Sequence, residues 1–246
     1  MKIKEIYDFL NEIAPFDTAA EWDNTGFSVG SLDGDVNKII LSLDVTNDVI
    51  EKALQNGAQL VITHHPLIFD GVKSIEKGST VYNAVKSGIT FISSHTCLDK
   101  AAGGVNDCLA AAVGITNLSK CQSDEFLMIG DIAPASADCF ALKIKKALGG
   151  KISFTDSGNS IKRVAVCSGS GGDLIFNAYK EGADAFLTGE AKHHEMLASS
   201  ELGISLFVAG HYETENIVLD YLKKAIENKF EAVDVEIYSP STVRYL

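Results

Sequence analysis

Apolar and polar positions follow two different periods along this chain, and the period changes from segment to segment. Near the start, Ile3, Ile6, Tyr7, Leu10 and Ile13 fall three or four residues apart, so MKIKEIYDFLNEIAPF predicts an amphipathic helix with these side chains on one face. The run 38–45 (KIILSLDV) is short and almost unbroken in its apolar character, which predicts a strand covered on both faces. A helix over 47–56, a strand over 59–63, a helix over 79–87 and a strand over 90–93 follow. The same alternation returns later: strand 163–167, a Gly-rich turn, helix 174–181, strand 185–188, a helix around 195–200, strand 204–209 and a long helix beginning near Glu213. Strands alternating with helices predict an α/β protein.

The second series repeats the first. NGAQLVIT ending at Thr63 matches EGADAFLT ending at Thr188, an offset of 125 that also separates Gly57 from Gly182. His95 and Asp99 follow the third strand of the first half, and His211 and Glu215 follow the equivalent strand of the second, each pair four residues apart. Matches in the same order predict an internal duplication. The expected organisation is two similar α/β lobes, 1–118 and 161–246, facing each other across a cleft that holds the site. Residues 119–160 form a connector carrying a helix over Ala137–Leu148.

Composition narrows the function classes. The chain has 246 residues, 46% of them apolar, and a formal net charge of −12. No run of apolar residues is long enough to span a membrane, and acidic residues interrupt the first segment where a signal peptide needs an apolar core. A cytoplasmic location without membrane contact is expected. Lys143, Lys145 and Lys146 are the nearest thing to a basic cluster and read as the solvated face of a helix, so nucleic acid is not an expected partner. Five cysteines, an odd number without a C-x-x-C pair, predict free thiols in a reducing compartment.

The histidines carry the chemistry. All six lie at or shortly after strand ends: His64 and His65, His95, His193 and His194, and His211. Ligands bind at the carboxyl ends of strands in α/β sheets because the loops there converge. With Asp99 and Glu215 beside them, the histidines predict a metal site. Consecutive residues of an extended segment point opposite ways, so His64 and His65 suit two neighbouring ions if the chain turns at Pro66. His211 and Glu215 share one helical face and can reach a common centre. Imidazoles with carboxylates suit Zn, Fe, Mn, Co or Ni better than Ca or Mg.

EWDNTGFSVG (21–30), LSLDVT (41–46), VITHHPLIF (61–69), SSHTCLD (93–99), GGVNDCLA (103–110), VAVCSGSGGDLI (164–175), GADAFLTGEAKHH (182–194) and GHYETE (210–215) together resemble the GTP cyclohydrolase 1 type 2 homologues, the Nif-three-like proteins. The match is to the short form, without a domain inserted between the halves. The resemblance implies a dinuclear metal centre between two α/β lobes and a ring-shaped homohexamer. It also implies the ligands His64, His65, Asp99, His211 and Glu215, with Glu215 bridging the ions. Gly189-Glu190-Ala191 stands where many relatives have a G-D-V turn, a departure expected to touch the cavity wall and not the implied ligands.

Other residues have two readings each. His95 is a catalytic acid/base candidate or a loop hydrogen-bonding residue. His193 and His194 line the cavity, His194 more than its neighbour, or lie on the surface. Trp22-Asp23-Asn24 is an anchored loop with a buried indole or part of the cavity, and Asp44 is a helix cap. Cys97 reads as a small packing residue. Ser168–Gly172 lacks the Walker and dinucleotide patterns and reads as a tight turn or a phosphate cradle, and GGVND (103–107) opens a helix. The implied activity is hydrolytic opening of the guanine imidazole ring of GTP, a small-molecule nucleotide substrate, with two divalent transition-metal ions as cofactors. A metal-dependent phosphoesterase or amidohydrolase is the second reading. A non-catalytic metal-binding regulatory or scaffold protein is the third.

Overall fold

The computed structural model describes residues 1–244. In chain order its strands are β1 (Gly26–Val29), β2 (Lys38–Ser42), β3 (Leu60–Thr63), β4 (Thr90–Ser93), β5 (Thr116–Lys120) and β6 (Met128–Ala135). They continue with β7 (Ser153–Phe154), β8 (Ile161–Cys167), β9 (Ala185–Thr188), β10 (Ser205–Val208) and β11 (Asp234–Ile237). The helices are α1 (Ile3–Ile13), α2 (Asn47–Gln55), α3 (Thr80–Ser87), α4 (Thr96–Lys100) and α5 (Val105–Ala112). Then come α6 (Ala137–Leu148), α7 (Ile175–Lys180), α8 (His193–Leu202), α9 (His211–Glu215) and α10 (Val218–Lys229). None of these helices is long and apolar enough to cross a membrane.

Two compact units emerge. The first joins Met1–Ala102 to Val218–Thr242, and the second holds Gly103–Ile217 with the described residues after Thr242. The first unit's sheet runs β1-β4-β3-β2-β11, with β1 antiparallel and the rest parallel. Every residue of β3 and β4 is buried, as expected for strands covered on both faces. Ile40, Val61 and Phe91 pack there with Val49, Ile50 and Ala53 of α2. The second unit's sheet runs β5-β6-β8-β9-β10-β7, parallel only through β8, β9 and β10. Phe207 sits in its core, edge-on to Phe140 at 5.1 Å and stacked on Phe154 at 5.5 Å.

Two parallel strand pairs share one register at an offset of 125 residues. Ile39 faces Leu60 and Ser42 faces Thr63; Val164 faces Ala185 and Cys167 faces Thr188. Gly57 and Gly182 each leave their helix with positive φ, +65° and +77°, which lets the chain reverse without a side-chain penalty.

The expected connector and lobe limits meet a different division. Within 119–160, β6 hydrogen-bonds along β8 and β7 along β10, so this stretch is built into the second sheet. The chain after Ile217 joins the first unit, where β11 extends the sheet beside β2. The long helix expected from Glu213 is two helices. The first ends at Glu215 and the second begins at Val218, where the chain passes from the second unit to the first.

Candidate metal centre

In the first unit, β3 and β4 lie side by side and in parallel, so their carboxyl ends deliver His64, His65 and His95 to one place. The rings of His64 and His65 are 5.0 Å apart, and His95 lies 5.1 Å from His64 and 5.4 Å from His65. Each offers a ring nitrogen within 4.8 Å of the others'. The opposite nitrogen of each ring is held by an oxygen. His64 Nδ1 donates to the Ser94 carbonyl at 2.9 Å, His65 Nδ1 to Asp44 at 2.7 Å and His95 Nδ1 to Asp23 at 2.9 Å. Such acceptors fix the proton on Nδ1 and leave the Nε2 lone pair as the one that can coordinate a metal or take up a proton. Asp99, on the first turn after His95, brings a carboxylate oxygen to 3.6 Å from His64 Nε2. This set can hold a metal ion, and its nitrogen-rich chemistry suits a divalent transition metal.

Asp23 shows how firmly the first unit holds its donors. Its side chain is fully buried. It accepts from His95, from the Thr96 backbone N–H at 3.0 Å and from the Thr96 hydroxyl at 2.5 Å. Burial alone would raise its pKa, but the hydrogen bonds from His95 and Thr96 win, and the carboxyl lies below the usual carboxylate range.

The second unit builds its donors differently. His211 and Glu215 are four apart on α9, and His211 Nε2 stands 3.1 Å from a Glu215 carboxylate oxygen, as two donors to one ion would. His211 Nδ1 lies 3.2 Å from Glu190. Gly169, with φ of +59°, presses its backbone against the pair: a Cβ there would overlap the Glu215 carboxylate and lie 3.3 Å from His211 Nε2. Three loops interlock around it. Gly169 N–H donates to the Thr214 hydroxyl at 3.1 Å, Glu190 N–H to the Gly169 carbonyl at 2.8 Å, and Gly210 N–H to the Gly189 carbonyl at 2.9 Å. Position 169 is therefore glycine because His211 and Glu215 need the space, whereas Gly171 and Gly172 make room for Cys167 and Glu195.

Beside His211 the second unit has a cavity of about 740 Å³, lined in part by Lys151, Ser170, Glu190, Lys192, Glu195 and Tyr212. The departure at Gly189-Glu190-Ala191 does line it, but contrary to expectation it also reaches a candidate ligand, because the loop after β9 runs beside α9 and sets Glu190 against His211. His193 and His194 do not line it. Both are exposed at the start of α8, with His194 3.8 Å from Glu195.

Asp44 is not a helix cap, since Thr46 caps α2 by accepting from Val49 N–H at 3.2 Å; Asp44 instead orients His65. Trp22 is not buried, and its indole is 66% exposed. Cys97 is a buried packing residue as expected; desolvation raises its thiol pKa despite hydrogen bonds to Ser94 and Thr25. All five cysteines are free thiols. The sequence singled out Asp23, Asp44 and Glu190 as a loop, a cap and a cavity-wall residue, and gave no signal that each would meet a histidine.

The chain resembles known proteins over most of its length. The model of the Duf34/NIF3 family (NGG1p interacting factor 3) matches residues 1–243. A GTP cyclohydrolase 1 type 2 homolog of Campylobacter jejuni is 35% identical over 234 residues, covering 93% of this chain and 93% of that one. The GTP cyclohydrolase 1 type 2 of Helicobacter pylori is 32% identical over 218 residues, covering 87% of this chain and 86% of that one. The crystal structure of a hypothetical protein of Staphylococcus aureus superposes with a TM-score of 0.91 at 26% identity, covering 100% of this chain and 99% of that one.

Proposed function

The chain belongs to the Duf34/NIF3 family, and on that premise we propose that it is a hydrolase with a two-ion metal centre that opens the imidazole ring of the guanine in GTP. The observation that carries the reading is the anchoring of each candidate imidazole through Nδ1, with Nε2 turned to its neighbouring donors. Purely structural histidines have no need of that common orientation. His64, His65 and Asp99 of the first unit, with His211 and Glu215 of the second, are the ligands in this reading, and Glu215 bridges. Two similar lobes arisen by internal duplication would each contribute part of the set. The shared strand register supports that origin.

Zn, Fe, Mn, Co or Ni bound by these residues would acidify a water and polarise the bond under attack. The chain's own part in turnover is proton handling. His95 Nε2 accepts the proton of the attacking water, and Asp23, ionised and buried, steadies the imidazolium through Nδ1. His95 then returns the proton to the ring nitrogen that leaves. A homohexamer in the cytoplasm completes the proposal, and light scattering at micromolar concentration tests the assembly.

The deciding experiment loads the protein with each metal in turn and measures GTP consumption, with Glu215→Ala as control. Ring-opened product formed by the wild type and absent from the variant is the expected result. No turnover of GTP with any of the five metals, while two ions remain bound per chain, would overturn the hydrolase reading in favour of a metal-binding regulatory protein. Turnover of generic phosphoesters instead would favour the phosphoesterase.

A further inference from the structure

We propose that Trp22 and Phe69 form an aromatic platform beside His95 that stacks the planar heteroaromatic ring of the substrate, a purine-like base. The inference rests on the nucleotide reading above and assigns residues that reading does not use.

Two large aromatic side chains stand in solvent next to the histidine cluster. Trp22 is 66% exposed and Phe69 50% exposed, and the two are not scattered singly but gather on one imidazole. Both touch His95: the indole lies 5.8 Å from the imidazole and the phenyl 5.7 Å, each meeting it edge-on. Phe69 also lies 6.3 Å from His65. Both rings stand nearly perpendicular to the candidate catalytic imidazole and close to it, so a substrate stacked on an exposed face of either would lie near His95.

Exposure here is not looseness. Trp22 is followed by Asp23, whose buried carboxylate is pinned by His95 and Thr96. Asp23 N–H donates to Ala20 O at 2.9 Å, and Ala20 N–H donates to the Thr96 hydroxyl at 2.8 Å. Asn24 Nδ2 donates to the Ile68 carbonyl at 2.6 Å, which ties the tryptophan loop to the residue just before Phe69. A rigid loop holding an exposed indole loses little conformational entropy on binding a flat ligand. Aromatic side chains recognise nucleobases in this way because every base presents a π-face. The Trp22–Asp23–His95 arrangement would couple the two tasks, with the residue that grips the base adjacent in the chain to the one that orients the acid/base.

Trp22 is the chain's single tryptophan, so its fluorescence reports on this platform directly. The metal-loaded protein is titrated with GTP, with guanosine and with inorganic triphosphate, and turnover is followed in parallel. GTP and guanosine should quench the emission and triphosphate should not. Phe69→Ala should weaken GTP binding about ten-fold, and Phe69→Tyr should restore it. Binding to Trp22→Phe, measured by equilibrium dialysis, should weaken less than to Trp22→Ala. Circular dichroism should show every variant folded, because both side chains are on the surface. Quenching without turnover would remove the hydrolase reading and leave the platform standing. Turnover with unquenched Trp22 and unchanged GTP affinity in Phe69→Ala would overturn the platform alone. Equal quenching by triphosphate, or emission insensitive to all three probes and buried by a second copy of the chain, would overturn it as well.

Discussion

The two units use the same parallel three-strand register to present donors in two different ways. After β3 and β4 the first unit places three imidazoles on loops and holds each by a separate acceptor, one backbone carbonyl and two carboxylates. After β10 the second unit places one imidazole and one carboxylate on a single helical turn and locks them by close backbone packing at Gly169. Orientation in the first case comes from hydrogen bonds, and in the second the contact of His211 Nδ1 with Glu190 is joined by backbone packing that only a glycine allows. A shared scaffold therefore does not dictate the donor set; the residues at the strand ends do.

The contrast breaks most visibly at the ligands. Glu215→Ala should lose at least one ion per chain by elemental analysis, because two cations a few ångströms apart would lack the bridging charge. His194→Ala should keep both ions, since its exposed ring stands outside the donor set. Two ions retained by a folded Glu215→Ala protein would sink the bridge, and metal loss from His194→Ala would sink the assignment of that residue to the surface.

Next in size is Gly169→Ala. Left-handed backbone and overlap with Glu215 act together, for a loss of about 3 kcal/mol in denaturant unfolding and weakened metal binding. Gly182→Ala is the control for backbone strain alone, because its φ is +77° but nothing lies within 4 Å of an added Cβ; it should cost about 1 kcal/mol. Equal losses would mean that the second unit is not held by close packing.

Asp44→Ala tests the first unit's method. It removes the acceptor for His65 Nδ1 from an exposed position, so the fold should be unchanged while metal affinity falls about 10–100-fold in a competition titration. Unaltered affinity would show that the hydrogen bond does not orient the ligand.

The smallest effect concerns pH. Asp23's carboxyl is held below its ordinary value of 3.8, so its stabilising effect is present above that pH and is lost as pH falls through the lower folded value. The Tm gap between wild type and Asp23→Asn should be constant near neutrality and close in strongly acid solution. A gap that widens on acidification would contradict the ionised, hydrogen-bonded Asp23.

The α/β class, the buried strands and the histidine positions could all be read from the amino-acid order. Continuous runs such as LVIT and AFLT have no place except inside a sheet covered on both faces, and strands over Thr90–Ser93 and Ala185–Thr188 form with the limits expected of them. Family resemblance was likewise legible, because THHP, SHTCLD and GHYETE stay contiguous in the chain. Tertiary structure alone decided the rest. Edge strands such as β5, mostly exposed, and the two-residue β7 have no apolar period to announce them and exist because a neighbour supplies hydrogen bonds. The fate of 218–242 depended on which core claimed each side chain. Asp23 meets His95 across 72 residues, and Asp44 meets His65 across 21. Those pairings arise from which loops the strand order brings together, and no local pattern of hydrophobic and polar residues records that.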